Sequence, residues 1–152
     1  MQNNFDKDLV RGKVAEHEIC GIIKATHPQA YVVDEEQSGY DIVVPDIPVM
    51  LEVKYDYLAC RTGNYFVETH SNGKCSGLCV TKAFWWVFVS DDEIVWLATE
   101  SLRYLIQEWG LKELEFAKVN PPKQGYLLPR SRLLFTPYAK VGERKTWKTC
   151  PF

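Results

Sequence analysis

The stretch Gly39-Tyr40-Asp41-Ile42-Val43-Val44-Pro45-Asp46-Ile47-Pro48-Val49-Met50-Leu51-Glu52-Val53-Lys54 decides how this chain folds. An apolar run, Ile42 to Val44, meets the turn signal Pro45-Asp46-Ile47-Pro48, and Val49 to Tyr55 then alternates as a strand. A hairpin turning about Asp46 and Ile47 sets Val44 opposite Val49, Val43 opposite Met50, and Asp41 opposite Glu52. Directly opposed residues share a face of the sheet, with Cβ atoms roughly 4.5 to 5.5 Å apart. Strand alternation adds Lys54 to that face and turns Val49, Leu51 and Val53 to the other, toward a core.

Two opposed carboxylates repel and destabilise a sheet unless a cation lies between them. A hard, oxygen-seeking ion, Mg2+ or Mn2+, resolves the conflict. A lysine beside such an ion can orient or deprotonate a water, or stabilise charge building up on a phosphate. A further carboxylate is expected from the helix before the hairpin. There Leu9, Gly12, Glu16, Ile19, Cys20 and Ile23 form a stripe at helical spacing, and Glu16 interrupts that surface. Burying it unpaired is costly, which favours Glu16 over Glu18 as the site residue.

Outward from the hairpin, residues from about Asp6 to Ala25 read as a helix, capped by Asp6 or Asp8 and ended by His27-Pro28. Its expected apolar face is Val10, Val14, Ile19, Ile22 and Ile23. A strand over Tyr31 to Asp34 and a polar turn over Glu35 to Gly39 lead into the hairpin. Beyond it, Asn64 to Thr69 reads as a strand, Ser71-Asn72-Gly73 as a turn and Ser76-Gly77 as a loop. Thr81 is expected to cap a short helix through Phe84, Trp85 and Trp86. Val87 to Ser90 and Ile94 to Ala98 form a hairpin, a second helix runs from Thr99 to Gly110, and strands at Gly125 to Leu128 and Arg132 to Thr136 make a C-terminal hairpin. The end of the chain from Gly142 is expected to be loosely attached. The fold class is α/β, with a central mixed sheet flanked by helices.

The chain has 152 residues, 46% hydrophobic, 25% charged and 13% aromatic, which is one soluble globular domain over 1–152. Its core is expected over about 6–110, with a C-terminal hairpin and tail over 120–152. Met1 to Lys13 is polar and charged, with no secretory signal, and no run is long enough to cross a bilayer, so the expected location is cytoplasmic. Five cysteines in such a chain point to reduced thiols. A net charge of −2 counts mildly against nucleic acid as a partner, although cations at an acidic site would offset it locally.

Gly12-Lys13-x-x-Glu16, Gly39-Tyr40-Asp41 and Glu52-Val53-Lys54 together resemble the signature of the PD-(D/E)XK nuclease superfamily, shared by many restriction enzymes, junction resolvases and recombination nucleases. Gly63-Asn64 to Glu68, Ser76-Gly77 and Thr81-Lys82-Ala83 before Trp85-Trp86 are similar to its small phage-type members. The resemblance spans about Arg11 to Ala98. It implies a restriction-endonuclease-like core and a Mg2+- or Mn2+-dependent deoxyribonuclease in which a metal-activated water hydrolyses phosphodiester bonds. Asp41, Glu52 and Lys54 would be the catalytic residues. The metal would be held by Asp41 and Glu52, with the Val53 carbonyl and Glu16 completing the set. Tyr40 stands where the name of the motif has proline. The literal Pro45-Asp46 pair falls in the turn, away from Glu52.

Ser76, Thr81 and Lys82, in a loop and helix start, are expected to contact phosphate of a DNA partner. Glu68 is either an extra acidic group near the metal or a salt-bridged strand residue. Phe84, Trp85 and Trp86 read as core more than as a base-stacking platform. Arg130, Arg132, Lys140, Arg144, Lys145 and Lys148 concentrate positive charge late in the chain, and a homodimer would suit cutting both strands. His17 and His27 have no recognisable partner. Two rivals stand beside the enzyme reading. One is a nuclease fold that binds DNA or protein without turnover. The other is a small zinc-stabilised interaction domain using Cys75-x-x-x-Cys79 with Cys60 and His70.

Overall fold

The structure, a computed structural model, describes residues 2–34, with side chains from Asp6, and residues 39–152. The polar turn expected at Glu35 to Gly39 lies, apart from Gly39, outside the described residues. In chain order the elements are α1 (Gln2–Lys24), β1 (Tyr31–Val32), β2 (Ile42–Val44), β3 (Val49–Tyr55), α2 (Ala59–Thr62), β4 (Asn64–Ser71) and β5 (Lys74–Cys75). They continue with β6 (Trp85–Val89), β7 (Glu93–Ala98), α3 (Thr99–Glu108), β8 (Leu114–Phe116), β9 (Lys123–Pro129), α4 (Arg130–Leu133) and β10 (Ala139–Glu143).

Two sheets form. A six-stranded sheet has the order β1-β2-β3-β6-β7-β10, and a four-stranded one the order β5-β4-β9-β8. The larger sheet is mixed, because β3 and β6 run parallel while its other neighbours are antiparallel. The hairpin register is the one expected: Ile42 faces Leu51, Val43 faces Met50 and Val44 faces Val49. A parallel pair needs a crossover connection. Here α2, β4 and β5 make the passage between β3 and β6, so the smaller sheet grows out of that connection.

Each face of the large sheet has its own core. Ala15, Ile19 and Ile23 of α1 pack with Leu51, Val53, Val87, Val89, Ile94 and Trp96. On the opposite face Trp86, Phe88, Val95 and Leu97 meet Tyr65 and Val67 of β4, Leu102 and Leu105 of α3, and Leu128 and Leu133. Burying each such side chain is worth about 1.5–3 kcal/mol, and β3 is held through Leu51 and Val53 in the layer under α1. No helix among the described residues is long and apolar enough to cross a membrane.

Several expectations are corrected. Helix α1 begins at Gln2, so Asp6 and Asp8 lie inside it and cap nothing, and Val10 and Val14 are exposed. Among the described residues, the buried side chains of α1 begin at Ala15, and Asp6 to Arg11 are exposed. No helix starts at Thr81. Trp85 to Val89 is a strand between β3 and β7, and its aromatic and β-branched side chains suit a position covered on both faces. The C-terminal hairpin does not form either. β9 pairs with β4 and β8, Arg130 to Leu133 is helical, and β10 closes the edge of the large sheet against β7.

The end of the chain is anchored, not loose. Arg144 binds Glu18 at 2.6 Å and the Ser90 carbonyl at 2.9 Å, Trp147 stacks on Trp96, Phe152 stacks on Trp85, and Cys150 is buried. Cys75 and Cys79 are joined in a disulfide, where reduced thiols were expected, while Cys20, Cys60 and Cys150 are free. Their hairpin and the 3-10 turn at Gly77–Cys79 bring the two sulfurs together over a short span of chain.

Candidate functional site

Asp41 sits one residue before β2 and is locked onto β3 by two hydrogen bonds. Its amide donates to the Leu51 carbonyl at 2.7 Å, and its Oδ2 accepts from the Val53 amide at 2.7 Å. The Val53 amide, on the inner side of the hairpin, therefore clamps the carboxylate against the strand carrying Glu52 and Lys54. Glu52 is almost wholly buried, and the Lys54 ammonium binds its Oε1 at 2.6 Å. That ammonium also lies over the Trp86 ring, 5.8 Å from its centroid, because Trp86 is the register partner of Glu52 on β6. Glu52 and Lys54 thus occupy the face turned to the smaller sheet, and Leu51 and Val53 the face turned to α1.

Burial pushes both carboxyl groups above their ordinary range. For Asp41, desolvation raises the value against the pull of Lys54, the Val53 amide and Lys13, and Glu16 adds to the rise. For Glu52, desolvation again dominates, opposed by Lys54 and reinforced by Asp41 and Glu68. Burial works against the Lys54 ammonium, but Glu52 and Asp41 outweigh it and hold Lys54 above the usual lysine value. Part of the compensation that sequence reasoning assigned to a metal is therefore supplied by Lys54 itself. The charges acting on the two carboxyl groups are of both signs: Lys54, Lys13 and Glu16 on Asp41, and Lys54, Asp41 and Glu68 on Glu52.

Glu16 is buried on α1 and is bound by Lys13 at 2.8 Å, one helical turn away. Its charge is felt at Asp41, which puts it at the same end of the sheet. Glu18 points elsewhere and holds Arg144. Asp46, in the turn, binds His27 Nδ1 at 2.6 Å, so His27 has the partner that sequence reasoning did not find. It also stacks on Phe152.

Beside Glu52 and Lys54 stands Glu68 on β4. It accepts from Ser76 Oγ at 2.7 Å and binds Lys123 of β9 at 2.7 Å. Gly77 makes this contact possible: at φ +47 a side chain is disfavoured, and an added Cβ would come within 2.3 Å of the Glu68 carbonyl oxygen. Thr81 Oγ1 donates to the Gly39 carbonyl, and the Lys82 amide donates to the same oxygen at 3.0 Å, so exposed Lys82 lies beside Gly39, two residues before Asp41. Two contributors were missed. Asp56, in phase with Glu52 and Lys54, receives the amides of Leu58 and Ala59 and that of Phe66, tying β3 to β4. Its place two residues after Lys54 was the available signal. Lys123 offered none, since it arrives by long-range pairing of β9 with β4.

Of the late basic residues, Arg130 is engaged with Glu93 and Asp92, Arg144 with Glu18, and Arg132 lies over Trp109. Trp86 is fully buried, as expected, whereas Phe84 is exposed. Among the described residues, the one group of three side chains whose metal-ligating atoms all lie within 4.8 Å of one another is His70, Cys75 and Cys79. Glu16, Asp41 and Glu52 do not close to that distance as a trio. Cys60 lies apart from the sulfur cluster, with its thiol on Asp92 at 2.7 Å.

No family model, curated protein or solved structure matches this chain, so the site is read from its own geometry.

Proposed function

We propose that this chain is a divalent-cation-dependent deoxyribonuclease of the PD-(D/E)XK type, hydrolysing phosphodiester bonds. One observation carries the reading. Asp41 is clamped by the Val53 amide beside buried Glu52, on the strand that also presents Lys54, and both carboxyl groups are held above their usual range. A helix against a β2–β3 hairpin, followed by a parallel strand, supports a restriction-endonuclease-like core.

The donor set fits Mg2+ or Mn2+, because it consists of hard carboxylate oxygens. Asp41 and Glu52 would hold the ion, with Glu16 as a more distant acidic group. The ion would supply Lewis acidity at the phosphate. Lys54, held above its ordinary value, is an ammonium at neutral pH. It suits stabilising negative charge on the phosphate better than taking a proton from water. Of Ser76, Thr81 and Lys82, Lys82 is the exposed one and would contact a DNA phosphate. Ser76 and Thr81, whose hydroxyls are bound to Glu68 and Gly39, shape the loop that carries it.

The test is a cleavage panel of linear, circular, single-stranded and branched DNA, each incubated with Mg2+, Mn2+ or a chelator. Cutting of at least one substrate in either metal and none with chelator is expected. Cleavage of none of the substrates in either metal overturns the enzymatic reading.

A further inference from the structure

The acidic site uses neither the histidine nor the two sulfurs gathered on the outer edge of the smaller sheet. Ser71-Asn72-Gly73-Lys74 makes a tight hairpin, with Asn72 at φ 51 and Gly73 at φ 73, the left-handed pair a two-residue turn requires. That turn sets His70 directly opposite Cys75. A bulge between Glu68 and His70 shifts the register there, a device that re-aims a side chain. The following 3-10 turn, held by the Ser76 amide on the Thr69 carbonyl, returns Cys79 to the same spot. Nε2 of His70 stands 3.6 Å from Cys75 Sγ. In a tetrahedral zinc site, with Zn–N about 2.0 Å and Zn–S about 2.3 Å, a nitrogen and a sulfur are roughly 3.5 Å apart.

The far side of the imidazole is prepared for the same task. Thr69 Oγ1 donates to Glu113, which leaves its oxygen to accept, and His70 Nδ1 lies 3.1 Å from it and 3.5 Å from the Glu113 carboxylate. This arrangement places the ring proton on Nδ1 and turns the Nε2 lone pair toward the sulfurs. A carboxylate behind a histidine fixes tautomer and orientation in zinc sites.

We propose that His70, Cys75 and Cys79 form a zinc site in the reduced protein, and that oxidation of the same two sulfurs to the disulfide abolishes it. The exchange balances with a dithiol as reductant. Its two thiols give two electrons and two protons to the Cys75–Cys79 bond and leave as a disulfide. Zn2+ then displaces two protons from the protein thiols, giving a neutral assembly of two thiolates, one imidazole and the ion. Three protein ligands leave a fourth position for water. The loop that changes state contains Ser76 and Gly77, both in contact with Glu68.

The experiment uses the full chain with Zn2+ or Co2+ alone as the probe, so its readout does not depend on DNA cleavage. Reduced protein, passed through a desalting column after incubation with Zn2+, should retain one zinc per chain. Protein oxidised until only the three thiols of Cys20, Cys60 and Cys150 titrate should retain none. Co2+ added to reduced protein should produce a thiolate-to-cobalt charge-transfer band. Cys75→Ser and Cys79→Ser should lose that band, Glu113→Gln should weaken zinc binding about 10-fold or more, and Cys60→Ser should change nothing. Circular dichroism checks that each variant is folded. Absence of the band in reduced protein, zinc retained equally by the oxidised form, or unchanged binding in folded Cys75→Ser overturns the site.

Discussion

The two faces of β3 differ in nearly every respect, although they alternate along seven residues. Leu51 and Val53 look toward α1 into an apolar layer, while Glu52 and Lys54 look toward the smaller sheet and carry charge into a buried position. A buried ion pair contributes weakly to stability, because desolvation offsets most of the attraction. Packing on the first face therefore holds the strand in place, and that rigidity fixes charged groups on the second face where they are costly. A site built on a strand is held to tighter geometry than one on a loop.

The largest expected effect lies on the charged face. Glu52→Gln or Lys54→Ala should lower single-turnover DNA cleavage in Mg2+ by about a hundredfold or more, with far-ultraviolet circular dichroism unchanged. Cleavage at the parental rate by either variant breaks the assignment of roles to the two faces. Leu51→Ala, on the other side, should cost about 2–5 kcal/mol in urea unfolding, and more than Glu52→Gln does. Equal losses in the two variants would mean that both faces are structural.

Acidity sharpens the contrast further. Asp41 and Glu52 have raised values in the folded chain, so the fold binds their protons more tightly than the unfolded chain does. Without metal, the stability this pair contributes is present at low pH and is lost as pH rises through those raised values. On the proposed reading, Mg2+ would take the place of the protons, so the rise in Tm on adding Mg2+ should be larger near about pH 8 than near about pH 5. The same increment at both pH values contradicts metal binding by this pair. The smallest effect is expected from Asp46→Ala. Asp46 lies in the turn with His27, away from Glu52, and cleavage should stay at the parental rate.

How far the sequence could be read followed the distance over which each decision was made. The β2–β3 register was legible because the Pro45 to Pro48 turn and the alternation beyond it are local, and a slip of one residue would have turned Leu51 and Val53 into the charged layer. Glu16 was separable from Glu18 for a related reason: on the α1 stripe with Ile19 and Cys20 it becomes buried, while Glu18 remains at the edge to meet Arg144. Thr81 misled because a threonine before aromatic residues can cap a helix or turn into a strand, and only the vacancy between β3 and β7 chooses. The same holds for Arg132 to Thr136, whose strand-like residues found no partner strand, while the less regular Ala139 to Glu143 found β7.

By itself, the sequence determined the mixed α/β class, the hairpin register, and the placing of Glu52 and Lys54 on the face opposite Leu51 and Val53, since turn chemistry and a two-residue period act between near neighbours. Tertiary structure alone decided that this side would be roofed by a second sheet and that Lys123 would reach Glu68. Those outcomes depend on pairings between strands far apart in the chain, such as β4 with β9, and no local pattern records which distant strand will fill a given edge.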